Sequence, residues 1–402
     1  MESIRELFRI GTGPSSSHTM APRKAAETFL QRQPNAARFR VSLFGSLAAT
    51  GRGHLTDQAL NEIFHPRPLE LVWKPDQELP LHSNGMLFEA YSERGTLLAS
   101  WKVYSVGGGA LQDESTEKAV CNTYGLSTLE DILNRCKDTG ESLWEYVLDC
   151  EDEGFLDFLS EVWDAMSNSI QRGLNRVGIL PGGLGVGRKA HSFYRKASFY
   201  GPHLKLNGKM WAYALAVSEE NASGGVIVTA PTCGASGVLP AVLRSLDEVL
   251  ECGREDILRA LATAGLVGNL VKHNASISGA EVGCQGEVGT ACAMAAAAAT
   301  QLHGGTVGQI EYAAEMGVEH HLGLTCDPVN GLVQIPCIER NAHAATRALN
   351  CCHFSLLAGG EHIITFDEIT TVMKETGQAL PSLYRETATG GIAQAYRQRN
   401  KG

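Results

Sequence analysis

The sequence predicts an α+β chain. A small N-terminal α/β domain is expected at about residues 1–150 and a mainly all-α domain at 151–402. Three observations carry this. Short runs rich in β-formers, bounded by Gly, Pro or Asn, crowd the stretch up to Ser105. Acidic and polar residues then dominate from about Gly109 to Glu153. From Phe155 onward strand signals nearly vanish and helical spacing takes over.

Taken in order, Ser3–Phe8 reads as a helix start, and Pro22–Leu30 as a helix opening just after a polar loop. "RFRVSLFGSLA" from Arg38 alternates Phe39, Val41 and Leu43 with Arg40 and Ser42, the period of a strand. "LELVW" at Leu69, "GMLFEAY" at Gly85 and "LASWKVYSVGGG" at Leu98 are further strands. "STLEDILNRC" has helical periodicity, and "FLDFLSEVWDAMSNSIQRGL" sets Phe155, Leu159, Val162, Met166 and Ile170 on one helical face. "EDILRALATAGLVGNLVKH" and "GTACAMAAAAATQL" follow. The last is apolar nearly all round, so a central position is expected.

A chain of 402 residues exceeds one ordinary core. Its 44% hydrophobic and 19% charged content is that of a globular protein. A net charge of −10 argues against nucleic acid as partner. No apolar run is long enough to span a membrane, so none is expected as a partner. Arg5 and Arg9 are not followed by an apolar stretch, so no signal peptide is expected and the location reads as cytoplasmic. In that reducing compartment an odd count of eleven cysteines speaks against a disulfide framework.

Three stretches rich in Gly, Pro and short polar residues interrupt the second domain: Glu220–Pro240, His273–Gly289 and Gly323–Asn341. Such loops bring backbone N–H groups close to a ligand. Cys284, Cys326 and Cys337 lie in two of them. Three converging thiolates can hold an iron–sulfur cluster and leave one iron open as a Lewis acid. No CxxC pair is present, and spacing alone favours the plainer reading of unlinked small core residues, which the other cysteines keep. Adjacent His320 and His321 without HExxH do not make a zinc site.

"GTGPSSSHTM" at Gly11 is the densest polar motif. A helix N-cap explains one or two of its residues, not five in a row. The functional reading is an anion cradle of hydroxyls and N–H groups, with His18 beside the bound group as acid or base. A serine nucleophile is less suited, since Ser17 and His18 are adjacent and no GxSxG elbow occurs. "LPLHSNGM" adds His82 and Asn84 in a turn.

These stretches, with "FGSLAATGRGHLTD", "YSVGGG", "GILPGGLGVGRKA", "ENASGGVIVTAPTCGASGVLPAVL", "NASISGAEVGCQGEVGTACAMAAA", "EHHLGLTCDPVNGLVQIPCIERN" and "YRETATGGIA", run in order from near residue 1 to near 395. In that collinear set the chain resembles the iron–sulfur L-serine dehydratases (L-serine ammonia-lyases) in their single-chain fused form. The resemblance implies a 4Fe-4S cluster on Cys284, Cys326 and Cys337, no pyridoxal phosphate, and conversion of L-serine to pyruvate and ammonia. It also implies a homodimer and a place in amino-acid catabolism and gluconeogenesis. The first domain would be related to an allosteric substrate-binding module. His18 would take the Cα proton and His82 would orient substrate or carry a proton. Ser15, Ser16, Ser17 and Thr19 would hold the carboxylate, with Asn84, Asn274, Ser276, Ser278 and Arg340 supporting substrate or cluster. Two rival readings are a lyase acting on threonine or cysteine, and a non-catalytic iron–sulfur redox sensor. Three departures from the family pattern stand out. The segment between "GHLTD" and "PLHSNGM" is short, Cys233 stands where asparagine is expected, and no cysteine follows Cys352. The last leads to the expectation that the C-terminal tail does not cap the fourth iron.

Overall fold

The computed structural model describes residues 1–114 and 122–400, so Cys121 lies outside the described residues. The N-terminal elements are β1 (Ile10–Thr12), α1 (Ala21–Arg32), β2 (Arg38–Phe44), α2 (Gly45–Thr50), α3 (Thr56–Phe64), β3 (Leu69–Lys74), β4 (Gly85–Tyr91), β5 (Leu97–Ser105) and β6 (Leu111–Asp113). Strands β2 to β6 form one sheet in the order β3-β2-β4-β5-β6. Only the β2–β3 pair is parallel, because α2 and α3 provide the crossover that a parallel pair requires. The expected alternation in β2 is the register of the core: Phe39, Val41 and Leu43 lie opposite Ala90, Phe88 and Met86, and all six are buried. Helix α1 lays Ala25, Ala26 and Phe29 on that face, with the Phe29 ring 5.6 Å from that of Phe88.

The helical region comprises α4 (Leu129–Thr139), α5 (Leu143–Cys150), α6 (Phe155–Leu174), α7 (Ala190–Ala197), α8 (Pro202–Ala222), the short strand β7 (Val226–Val228), α9 (Val238–Leu250), α10 (Arg254–Asn274), α11 (Gly279–Val282), α12 (Thr290–Leu302), α13 (Val307–Glu319), α14 (Cys337–Ala358), α15 (Phe366–Ala379) and α16 (Gly391–Arg399). Among the described residues no helix is long and apolar enough to cross a membrane. Helix α12 is the axis. Every residue from Thr290 to Thr300 is buried, against α9, α10, α13 and α14. Its alanines allow close approach: a Cβ at Gly317 of α13 would lie 2.6 Å from Ala293 Cα.

The two cores do not divide at residue 150. Helices α4 and α5 precede that position, yet Leu129, Ile132, Leu143, Tyr146 and Val147 belong to the helical core. So do Ile4, Leu7 and Phe8. The helix expected at Ser3–Phe8 is a single 3₁₀ turn, Ile4–Glu6. It nests on α10 where Gly265 and Gly268 leave room; a Cβ there would meet Ile4 and Leu7 at 2.5 and 2.7 Å.

This N-terminal anchor matters because strand β1 follows it. β1 pairs antiparallel with β7, Ile10 opposite Val228 and Thr12 opposite Val226. Asn221, at the end of α8, donates to Pro14 O at 2.9 Å. The polar loop is thereby clamped to the helical region before the chain enters its own sheet.

Candidate active site

Ser16–Met20 wind as a wide π-helical turn running straight into α1. Such turns are rare and gather at functional sites. The loop's hydroxyls hold it rigid. His18 N donates to Ser15 Oγ at 3.1 Å, Ser15 N donates to Thr19 Oγ1 at 3.1 Å, and Thr19 Oγ1 donates to His54 O at 2.6 Å. Ser17 Oγ lies 2.7 Å from His18 Nδ1, and Ser46 Oγ lies 3.4 Å from His18 Nε2. The Ser16 hydroxyl alone has no hydrogen-bond partner among the described residues, so of the four expected donors it is the one with full capacity for a ligand.

His18 is fully buried. Burial pushes its pKa down to about 4; contact with Ser46 opposes this and the nearby His82 adds to it. The imidazole is therefore neutral near pH 7 and able to accept a proton. Beside it sits His54, rings 4.5 Å apart, also driven well below the usual range by burial. His54 Nδ1 is buried without a hydrogen-bond partner. On the other side, Glu386 Oε1 stands 3.7 Å from His18 Nδ1. Burial first, and the Glu287 charge second, raise the Glu386 carboxyl well above the ordinary range. Glu386 itself has the left-handed φ of +57°, a strained conformation for a side chain of this kind.

The helical region brings the three thiols to this place. Cys284 immediately precedes a second π-helical turn, Gln285–Gly289, and Cys337 opens α14. Cys326 is held by backbone pairing: its N–H donates to Tyr384 O at 2.8 Å and its C=O accepts from Glu386 N at 2.7 Å. That pairing ties the Cys326 loop to the carboxylate facing His18. Gly53 completes the joint, since a Cβ there would lie 2.8 Å from Gly331 O, in the loop leading to Cys337. Only glycine lets the His54 turn approach that backbone so closely.

The thiols lie within electrostatic reach of one another. Burial raises the Cys326 thiol well above its usual range, and Cys284 and Cys337 raise it further. Burial pushes Cys284 up to about 11 and Cys337 higher still. Arg340, one turn into α14, answers this. Burial opposes its charge, but the sulfurs of Cys284 and Cys337 raise its pKa over that cost, and Arg340 Nη1 donates to Thr325 O at 2.6 Å. Glu287 lies 3.8 Å from Cys326 Sγ and accepts from Thr232 Oγ1 at 2.8 Å. It occupies a cradle that Gly279 makes possible, since a Cβ there would fall 2.7 Å from Glu287 Oε2. The cysteines described are all free. Three thiols, two on the buried Cys284 and Cys326 and one on the half-buried Cys337, with one guanidinium beside them suit a soft metal centre: binding would take the protons that burial now holds on sulfur.

The remaining expected residues divide. His82 Nε2 stands 3.3 Å from Glu281 Oε1, and its Nδ1 accepts from Asn84 N at 3.0 Å. The Asn84 side chain is fully buried with both polar atoms unpartnered. Ser276 Oγ donates to the same Glu281, and Ser278 backs the glycine turn at Gly107. Asn274 is not brought in; its amide donates to Ser127 O at 2.8 Å and ties α10 to the lead of α4. Cys233 Sγ contacts Met20 Sδ at 3.4 Å behind the polar loop. Residue-by-residue reading missed His54, Ser46, Glu281, Glu287 and Glu386. Each lies inside a stretch that carried the resemblance, but none has a local motif of its own.

The fold and the site define a two-part protein whose histidine-bearing α/β module closes on a thiol-bearing helical one. The serine dehydratase beta chain family matches residues 3–62 and 61–116, and the serine dehydratase alpha chain family matches 111–393. The chain belongs to the serine dehydratase family. It is 41% identical to L-serine dehydratase of Streptomyces coelicolor, with 97% of this chain and 98% of the relative covered. It is 39% identical to L-serine dehydratase of Haemophilus influenzae and 38% to L-serine dehydratase 1 of Escherichia coli, covering 98% of this chain and 99% of each relative. These alignments extend over 446 to 450 positions against 402 residues, so the relatives carry segments absent here. The beta-chain match breaks inside α3, in keeping with the short stretch after "GHLTD".

Proposed function

We propose that this chain converts L-serine to pyruvate and ammonia. The observation that carries the reading is the meeting of the Ser15–Thr19 loop with Cys284, Cys326 and Cys337 through Glu386, in a chain that L-serine dehydratases match almost end to end. Cys284, Cys326 and Cys337 would hold a 4Fe-4S cluster, which when bound supplies a Lewis-acidic iron for the departing hydroxyl. The protein's own part is substrate placement and proton transfer. The Ser16 hydroxyl and the N–H groups of Ser16 and Ser17, the two in the π-helical turn not already donated within the loop, receive the carboxylate. Neutral His18 accepts the Cα proton, and His82, paired with Glu281, orients the substrate with the unpartnered Asn84 amide. Loss of water leaves 2-aminoacrylate, which tautomerises to the imine and is hydrolysed by water to pyruvate and ammonia. The homodimer implied by the resemblance and the cytoplasmic location expected from the sequence belong to this reading; exposed Phe354, Leu357 and Ile363 offer apolar surface for a second subunit.

The test is to purify the chain without air, measure iron and visible absorption, and assay pyruvate from L-serine beside L-threonine and L-cysteine. Brown protein and an excess of pyruvate from serine, both lost in air, are expected. Preference for cysteine with sulfide release, or brown protein without turnover, overturns the reading.

A further inference from the structure

His18, His54 and Glu386 converge from three separate segments: the polar loop, the turn between α2 and α3, and the loop before α16. One ligand atom from each lies within 4.8 Å of the other two, and all three side chains are buried. His18 Nδ1 and Glu386 Oε1 are 3.7 Å apart. Ligand atoms around a tetrahedral ion with bonds of about 2.0–2.1 Å stand about 3.3–3.4 Å from each other, so the set closes on an ion with side-chain movements of about 1 Å. A second observation points the same way. His54 Nδ1 is buried with no hydrogen-bond partner, a lone pair or N–H left without a use within the protein. Two imidazoles and one carboxylate are nitrogen and oxygen donors suited to a divalent ion of the zinc class, and three protein ligands leave a fourth position open.

We propose that His18, His54 and Glu386 form a site for a divalent transition ion, separate from the cysteine set, and that its occupation inhibits the enzyme. The ion engages His18, so the inhibitory half rests on the proposed role of His18 at the substrate. The donor sets keep the two sites apart chemically. The cysteines offer sulfur at about 2.3 Å from zinc, whereas this site offers nitrogen and oxygen at about 2.0–2.2 Å.

The experiment uses anaerobic protein with its full iron content and Zn²⁺ alone as probe. Zinc binding is followed by competition with a chromophoric chelator, and the bound ion by X-ray absorption at the zinc edge. One zinc per chain with only nitrogen and oxygen neighbours is expected, weakened at least tenfold in both His54→Asn and Glu386→Gln. Circular dichroism reports whether each variant is folded, and the edge spectrum of the unsubstituted protein decides the site even if neither variant folds. Sulfur neighbours, or a zinc affinity that both variants leave unchanged, overturn the site. Pyruvate formation should fall with zinc occupancy and recover as L-serine is raised. Zinc bound through nitrogen and oxygen with undiminished turnover overturns the inhibitory half and with it the placement of His18 at the substrate.

Discussion

Replacing His18 by Gln tests burial and chemistry together. The neutral imidazole is fully buried, with a pKa near 4 against 6.5 for a free histidine. A group with a depressed folded pKa contributes no penalty above its unfolded value and costs stability as pH falls. Below pH 6.5 the unfolded chain takes the proton and the folded chain does not. Each unit of separation is worth about 1.4 kcal/mol, so moving from pH 7.5 to 5.0 costs about 2 kcal/mol at this residue alone, and about 3.4 kcal/mol once pH is well below 4. Gln keeps an oxygen or amide for Ser17 but does not titrate. The comparison is the drop in urea midpoint between pH 7.5 and 5.0, read by tryptophan fluorescence, in the unsubstituted protein and in the variant. The variant's drop should be smaller by about 2 kcal/mol, because distant titrating groups are common to both and His54 keeps the larger, burial-driven part of its lowering when His18 is replaced. Turnover at pH 7.5 should fall about 10²–10⁴-fold, the usual worth of a positioned acid or base, with the visible absorption of the protein retained. Equal acid sensitivity in the two proteins would refute the burial argument; near-normal pyruvate formation would remove His18 from proton transfer.

Cys337→Ser should purify with little iron and no visible absorption, while Cys292→Ser, inside α12, should keep both; iron analysis decides. Gly317→Ala forces a methyl against Ala293 at the α12–α13 crossing and should cost about 1–3 kcal/mol, seen as a lower thermal midpoint. Glu220 is fully buried and bridges Arg172, Arg176 and Arg188, so Glu220→Ala should destabilise by about 3 kcal/mol and leave the iron content of the folded fraction unchanged.

What could be read from the chain depended on whether the information was local. Strand β2 was legible because a period of two in Phe39, Val41 and Leu43 is imposed by the pleat itself. Helix α12 was legible because an unbroken run of small apolar residues has no polar face to give to water. The assignment of α4 and α5 to the helical core was not, because their amphipathic faces say that something apolar covers them without saying which core it is. Ser3–Phe8 misread for a similar reason. Its apolar residues have helical spacing, but the room left by Gly265 and Gly268 rewards one tight turn instead.

The polar loop shows the same limit at the site. Five consecutive polar residues announce that Ser15–Thr19 serves no core, and the structure adds that three of the five, Ser15, Ser17 and Thr19, are spent fixing His18 between Ser17, Ser46 and the His54 turn. His54 and Glu386 carry no such announcement. They reach His18 because Gly53 permits contact with the Gly331 backbone, because Cys326 pairs with Glu386 through main-chain atoms, and because the Thr19 and Ser46 hydroxyls donate to the main-chain carbonyls of His54 and Glu386. Backbone pairing is blind to side-chain identity, so it leaves no pattern in the sequence. It also has a mechanical consequence. The loop that holds Cys326 and the carboxylate that faces His18 are one hydrogen-bonded unit, so a displacement of the cysteine must move Glu386 with it. The thiol set and the histidine pocket are therefore coupled through two backbone hydrogen bonds, of 2.8 and 2.7 Å, to which the Ser46 hydroxyl adds a contact with the Glu386 carbonyl.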